Sequence, residues 1–388
     1  MRQPNPVVPD FAYHRPMTKP KPTAAAAATA PALHPANRLG LDYTAEAAKF
    51  AVPAAGIIDV HTHINGLASA AIYRRAAELY GVRLVYSMTH LEEVEQVREV
   101  LGSAVRFIAV PNYTGEDRRH HHGPGYIERI EKFHALGARI VKFWAAPRGI
   151  DYGREVGDPN LLRLDAPDRL EAMRVAHDLG MIFMVHVADP DTWFAAKYAD
   201  ASLYGTKAQQ YEPLEELLDR FTQPWIAAHM GGWPENLDFL AGLLQRHDNL
   251  YLDTSAAKWM LRELSRHTRE DLAAFLRQFN GRVLFGSDIL TADEHLARGE
   301  TGHEVLAKAG SPEEAFDLYA SRYWALRSLF ETDYHGPSPI ADPDLAMTQP
   351  DRYSEMDAPV LAGKALPGDL LRSLYHDAAN QLLEPLHR

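Results

Sequence analysis

From Gly56 onward the apolar positions of the chain fall into short runs, separated by longer stretches in which apolar and polar residues mix. The runs occupy 57–60, 82–87, 105–110, 139–143, 181–187, 225–228, 250–252 and 283–285. Between them, segments such as 91–100, 125–136, 166–179, 213–221, 234–246 and 269–279 repeat their apolar residues at helical spacing, as Leu237, Leu240, Leu243 and Leu244 do. Strands that alternate with helices predict parallel βαβ units, and eight of them predict a closed α/β barrel, the (β/α)₈ or TIM fold. The unit length agrees: His61 to Asp288 runs at about 32 residues per unit, close to one eighth of the roughly 250 residues of such a barrel.

The two ends of the chain read differently. Residues 1–50 contain Pro4, Pro6, Pro9, Pro16, Pro20, Pro22, Pro31 and Pro35 and a run of alanines at 24–28, so they predict a flexible Pro/Ala-rich extension or a strap on the barrel surface. The barrel with its C-terminal helices is then expected over 51–388. Helical text at 312–331 is followed by an irregular Pro-rich stretch to about 367. An amphipathic helix at 369–383 closes the chain, with Leu370, Leu374, Tyr375, Ala378 and Leu382 on one side.

Composition narrows the chemistry. With no cysteine among 388 residues, thiolate metal sites, disulfide scaffolds and cysteine nucleophiles are excluded. A net charge of −12 argues against a nucleic-acid partner, which requires a basic footprint. No apolar stretch approaches the ~18 residues that would span a bilayer, and the N-terminal text lacks the pattern of a signal peptide. A cytoplasmic protein with a small-molecule substrate and no membrane partner is the expectation.

The 19 histidines matter through their placement. His61 and His63 lie two residues apart at the end of the first run, where strand alternation points both side chains the same way. A lone His-x-His is weak evidence, since one buried and one exposed histidine would explain it. Polar residues recur, however, at the ends of other runs: Lys142 in the fourth, His186 in the fifth, His229 in the sixth and Asp288 in the eighth. Strand ends of a barrel converge on one mouth. Six polar groups there are expensive to bury unless they bind one another or an ion, so a shared metal site is predicted.

This ordered set resembles the amidohydrolase superfamily, and within it the amidohydrolase-2 branch, which holds lactonases, amide and ester hydrolases and aminocarboxymuconate-semialdehyde-type decarboxylases. The resemblance extends from about Gly56 to Leu383 and includes the Gly286-Ser287-Asp288 turn and the closing helix. It implies imidazole ligands at His61, His63 and His186, a carboxylate ligand at Asp288, and one or two divalent ions. Nitrogen and oxygen donors without sulfur suit Zn²⁺ first, with Mn²⁺ and Fe²⁺ as alternatives. It further implies that Asp288 moves the proton of a metal-activated water, while His229 polarises the substrate carbonyl or stabilises its oxyanion. With a second ion, His186 and His229 become its ligands and a carboxylated Lys142 the bridge. The single-ion version, with Lys142 an ammonium that pairs with Asp288 or a substrate carboxylate, is preferred. The implied activity is metal-dependent hydrolysis of an amide, ester or lactone, with non-oxidative decarboxylation on the same residues as the rival.

Further residues that follow strand ends are expected at the mouth: Ser87, Thr89, His90, Asn112, Tyr113, Trp144, Arg148, Asp253, Thr254 and Ser255. Arg148 is the candidate for a bidentate grip on a substrate carboxylate, with Trp144 and Tyr113 as substrate-contacting walls. Asp253 is the candidate for orienting a ligating histidine. The run from Arg118 to His122 is expected to be a solvated, mobile loop. Barrels of this kind often pair, so a homodimer is the expected assembly.

Overall fold

Parallel strands covered on both faces must be apolar nearly throughout, and the eight runs meet that requirement. In the computed structural model, which describes residues 34–297 and 308–388, they become β1 (Ile57–His63), β2 (Val82–Ser87), β3 (Val105–Ala109), β4 (Ile140–Trp144), β5 (Ile182–His186), β6 (Trp225–Ala227), β7 (Leu250–Asp253) and a divided eighth strand. That last strand comprises β8 (Val283–Leu284) and β9 (Ile289–Leu290). All neighbours are parallel, in the order β8-β7-β6-β5-β4-β3-β2-β1-β9, so the two pieces close the sheet into a (β/α)₈ barrel. Backbone hydrogen bonds from Val60 N to Phe285 O (2.9 Å) and from Asp288 N to His61 O (2.8 Å) complete the seam.

The division has a local cause. Gly286 sits so close to β1 and the loop after β7 that a Cβ there would lie 3.0 Å from the Cβ of His61 and 3.1 Å from that of Ser255. Its neighbour Ser287 turns outward to Asp59, donating through N (3.1 Å) and Oγ (2.6 Å). Asp59 also accepts from His61 N (3.1 Å) and from the hydroxyl of Tyr323 (2.9 Å) on the outer helix Pro312–Glu331, which meets Tyr73 OH at 2.6 Å. A register shift in β1 between Asp59 and Thr62 lets Asp59 face this outer layer while His61 reaches the mouth. Burial pushes the Asp59 carboxyl up to about 6 against the pull of its donors.

The closing helix is interrupted by a π-turn at Ser373–Asp377. Its Leu374 carbonyl is diverted to accept from Phe285 N (3.1 Å), which ties the helix to the barrel seam.

Three expectations outside the strands, for the N-terminal extension, the 118–122 run and the Pro-rich segment, meet the structure as follows. Of the two forms expected for the N-terminal extension, residues 34–50 take the strap: they lie on the body, with Ala36 and Tyr43 buried and Tyr43 OH donating to Ala36 O (2.7 Å). Arg38 N donates to Pro339 O and Ala341 N to Pro35 O, so the strap is stitched to the C-terminal segment. Residues 1–33, with the alanine run, lie outside the described residues. The stretch Arg118–His122 is a short helix capped by Asp117, and His122 is wholly buried. The Pro-rich segment after 332 also has order, since His335–Pro337 pairs antiparallel with Val360–Ala362. No described helix is long and apolar enough to cross a membrane.

Tyr323→Phe removes one donor from the fully buried Asp59 and leaves the Tyr73 hydroxyl without its partner. An unfolding free energy lower by about 1–3 kcal/mol is expected in urea denaturation. A midpoint unchanged from that of the parent protein would show that the network contributes nothing to the seam.

Candidate metal centre

The polar strand ends converge as the barrel requires. His61 and His63 end β1, Lys142 lies on β4, His186 ends β5, His229 follows β6 and Asp288 lies between β8 and β9. His229 and Asp288 each have φ +59°, a left-handed conformation that costs of order 1–3 kcal/mol outside glycine. The strain turns both side chains across the mouth instead of letting them continue along their strands.

Three of the four imidazoles, those of His61, His186 and His229, are held by a partner at one ring nitrogen. His61 Nδ1 lies 2.9 Å from Asp253 Oδ2, and His186 Nε2 lies 2.8 Å from Asp189 Oδ1. Asp189 in turn accepts from Tyr198 OH (2.6 Å). His229 Nδ1 lies 2.7 Å from Ser255 Oγ. That hydroxyl has one proton, and it donates this to Asp253 Oδ1, so toward His229 it is an acceptor. The network therefore assigns protons to His61 Nδ1, His186 Nε2 and His229 Nδ1. The lone pairs left over are those of His61 Nε2, His186 Nδ1 and His229 Nε2.

Asp288 Oδ1 stands 3.4 Å from His61 Nε2 and 3.2 Å from His63 Nε2. Two sets of potential ligand atoms fall within 4.8 Å of one another among the described residues: His61, His63 and Asp288, and His61, His229 and Asp253. In the second set the facing atoms are already joined by hydrogen bonds, so the first is the place for a cation. His186 and His229 adjoin it, with ring centres 4.5 Å apart and His229 4.9 Å from His61. His63 and Asp288 are about one-third exposed, which opens the set to the mouth, whereas His61 and His229 are buried.

The electrostatics suit ligation. Burial alone would raise the Asp288 carboxyl, but His61 and His63 beside it hold it well below the usual range, so it is ionised at neutral pH. Burial and the neighbouring His186 push His229 well below its usual value, so it is neutral. For His61, burial and Lys142 pull downward, and the Asp253 and Asp288 carboxylates outweigh them. Three carboxylate or imidazole donors on one open edge, with no sulfur, fit a first-row divalent ion.

Lys142 is buried, and its Nζ has no hydrogen-bond partner among the described residues. Burial lowers it from 10.5 to about 8 despite the pull of Asp253 and Asp288. Trp144 pairs in register with His186 and is half-buried, with Tyr113 against it at 6.2 Å between ring centres. Arg148 opens the helix Gly149–Arg154 and acts on the hydroxyl of Tyr198, which places it behind the Asp189–His186 pair. Ser87 and Thr89 do not line the mouth, because both are committed to the backbone of Ile64. Asn112 folds back on Thr114.

The wall of the site includes residues that sequence reasoning missed. Trp259 lies 5.5 Å from His229 and 6.2 Å from His186, and Trp193 packs on it at 5.7 Å. Both indoles donate to Asp344 Oδ2, at 3.0 and 2.8 Å, in the C-terminal segment. Buried Arg262 joins Asp344, Asp342 and Glu263 in one ion cluster. Asp189, three residues after His186, was findable from its spacing; Asp344 has no signal in the sequence.

The family model for amidohydrolases matches residues 64–384, beginning one residue after His63. No curated protein matches the chain. Solved structures similar to it include the 5-carboxyvanillate decarboxylase of Novosphingobium aromaticivorans complexed with manganese and 4-hydroxy-3-methoxy-5-nitrobenzoic acid, at 10% identity and a TM-score of 0.43, covering 86% of this chain and 97% of that one. N-acetyl-D-glucosamine-6-phosphate deacetylase of Mycobacterium smegmatis is similar at 14% identity and 0.34, covering 76% of each chain. HMG-CoA lyase of Bacillus subtilis is similar at 13% identity and 0.37, covering 72% of this chain and 94% of that one.

Lys142 yields a test with a definite sign. Between about 8 and 10.5 the unfolded chain binds the proton that the folded chain has lost, so this group makes stability rise with pH across that window. Below it the buried charge is a constant penalty, of order 3 kcal/mol. In metal-free protein, Lys142→Met is therefore expected to stabilise at pH 7, with the gain shrinking toward pH 10. Equal effects at the two pH values, measured by urea denaturation, would contradict the assignment.

Proposed function

The chain belongs to the amidohydrolase family, and from that premise we propose that it is a metal-dependent hydrolase that cleaves an amide, ester or lactone at the barrel mouth. The observation that carries this reading is the position of Asp288, ionised and one-third exposed, beside the Nε2 atoms of His61 and His63 whose strand holds them side by side. When bound there, a divalent cation supplies Lewis acidity and lowers the pKa of water to roughly 7. Zinc is the first choice for this donor set, and His61, His63, Asp288 and the adjoining His186 would hold it.

The chain's own residues divide the remaining work. Asp288 accepts the proton of the attacking water on its carboxylate and later delivers it to the leaving group. His229 is neutral with its Nδ1 proton committed to Ser255, so its Nε2 is an acceptor and a carbonyl oxygen finds no proton there. Its role is that of a ligand or a second base. The spare protons at the mouth belong to Lys142, whose ammonium is the donor available to polarise the substrate carbonyl and to hold the oxyanion. A carboxylated lysine would lose that capacity, so the ammonium form and a single ion are part of this reading. Trp144 and Tyr113 serve in this reading as the aromatic walls for the substrate, whereas Arg148, beside Tyr198, stands behind the Asp189–His186 pair.

One observation favours a second reading, non-oxidative decarboxylation. The same unpaired Lys142 ammonium is a ready counter-charge for a substrate carboxylate. The two reactions differ in what water contributes. Once a substrate is found by screening lactones, amides, esters and aromatic acids, turnover in ¹⁸O-labelled water is expected to place label in the newly formed acid group. Release of carbon dioxide with a solvent-derived proton at the vacated carbon would select the decarboxylase. With the same substrate, Asp288→Asn is expected to lower turnover by about 10²-fold or more. A near-normal rate would move the base to another residue.

A further inference from the structure

Beside the metal centre, behind the wall formed by Trp144, a buried cation stands without an anion. Arg169, in the first turn of the helix Pro167–Asp178, is 0% exposed. Its only hydrogen bond among the described residues runs from one Nη to the backbone oxygen of Trp144 (3.3 Å), and its Nε and other Nη have no partner. The groups that act on its charge are the hydroxyls of Tyr113, Tyr126 and Tyr152, none of them a carboxylate. Burial lowers it, yet a guanidinium stays charged at neutral pH. The ring faces of Phe143 and Tyr126, 5.8 and 6.0 Å from the guanidinium, offset that charge only in part, and a buried cation without an anion is costly.

The surroundings have a definite shape. Tyr113, His122, Tyr152 and Trp144 form a closed ring of four side chains, with successive ring centres 5.2, 5.2, 6.2 and 6.2 Å apart. His122 is also 0% exposed; its Nε2 lies 3.1 Å from Tyr152 OH, and its Nδ1 has no partner. In the tautomer whose Nε2 accepts from Tyr152, Nδ1–H is a further unspent donor. Two unpartnered nitrogens of Arg169 and one of His122 thus belong to one neighbourhood, in which the Arg169 charge acts on His122, Tyr113 and Tyr152. Tyr113 and Trp144, the two partly exposed members, follow the ends of β3 and β4 on the mouth side of the barrel.

We propose that the Arg169–His122 enclosure is a binding subsite for the carboxylate of an aromatic or apolar organic acid. The planar fork of Arg169 matches the two oxygens of a carboxylate. One fixed positive charge balances a monoanion, and aromatic walls suit the apolar body attached to it better than a hydrated phosphate. The identification of that acid as part of the substrate rests on the catalytic reading above; the existence of the subsite does not. The stretch Arg118–His122 thereby acquires a role, with Arg118 capping Tyr152 from outside at 4.0 Å and His122 supplying a donor within.

Isothermal titration of the full chain with sodium benzoate, acetate and phosphate at constant ionic strength tests this. Saturable binding of one benzoate per chain is expected, weakened at least tenfold by Arg169→Met, a variant expected to be as stable as the parent because it removes an unpaired buried charge. Should that variant fail to fold, His122→Phe keeps the ring, loses the donor, and is expected to weaken benzoate severalfold. Binding should persist in the His61→Ala/His63→Ala double variant, which separates this subsite from the metal centre and from any failure of the hydrolase assignment. Absence of saturable benzoate binding, binding indifferent to the subsite variants, loss of binding in the double variant, or a preference for phosphate over benzoate would each overturn the proposal.

Discussion

The mouth of this barrel is organised around one buried carboxylate. Asp253, at the end of β7, accepts from the ring of His61, from the backbone nitrogens of His229 and Ser255, and from the Ser255 hydroxyl. It therefore ties the ends of β1 and β6 to β7 and fixes which nitrogen of His61 carries the proton. Because Ser255 spends its only proton on Asp253, the tautomer of His229 is fixed as well. Those two imidazoles are aimed by a residue that need not touch the reaction. Burial alone would favour a neutral Asp253, but the charges and hydrogen bonds around it hold it well below the usual carboxylate range.

The same logic extends outward. His186 is oriented by Asp189 and Tyr198, and Trp259 against His186 and His229, with Trp193 packed on it, is held by Asp344 from the far end of the chain. Arg262 anchors that C-terminal segment in an ion cluster, and the N-terminal strap is stitched to it. Segments that read as irregular in the sequence thus close the wall of the site, while Asp59 and Tyr323 secure the seam beneath it. An arrangement in which the rings of His61, His186 and His229 are held from behind leaves little reorganisation for the moment of reaction, which is what electrostatic preorganisation requires.

The barrel was legible because its signal is local. Alternating apolar runs and helical periods imply βαβ units without knowledge of distant contacts, and the strand-end positions of His61, His63, Lys142, His186, His229 and Asp288 followed from them. The helix at 312–331 was likewise bounded by its own text. That residues 34–50 form the strap and not the arm could not be decided from the text, because their anchors, among them Pro339 and Asp317, lie some 300 positions away. The Arg118–His122 run, rich in charge, read as a solvated loop, and only the packing of Tyr113 and Tyr152 shows why His122 is inside. Asp344 and Trp259 could not be found from spacing, since their contact spans 85 residues. Nor could the assignment of donor and acceptor to His229, which depends on how a single serine spends its proton.

The central claim is that one cation is held by His61, His63 and Asp288, with His61 oriented for it by Asp253. Metal content of protein purified without added metal, measured by plasma mass spectrometry, tests it most directly. About one equivalent of a first-row divalent ion per chain is predicted, falling to background in the His61→Ala/His63→Ala variant while the far-ultraviolet circular dichroism of the barrel is retained. Full occupancy in that folded double variant would contradict the account.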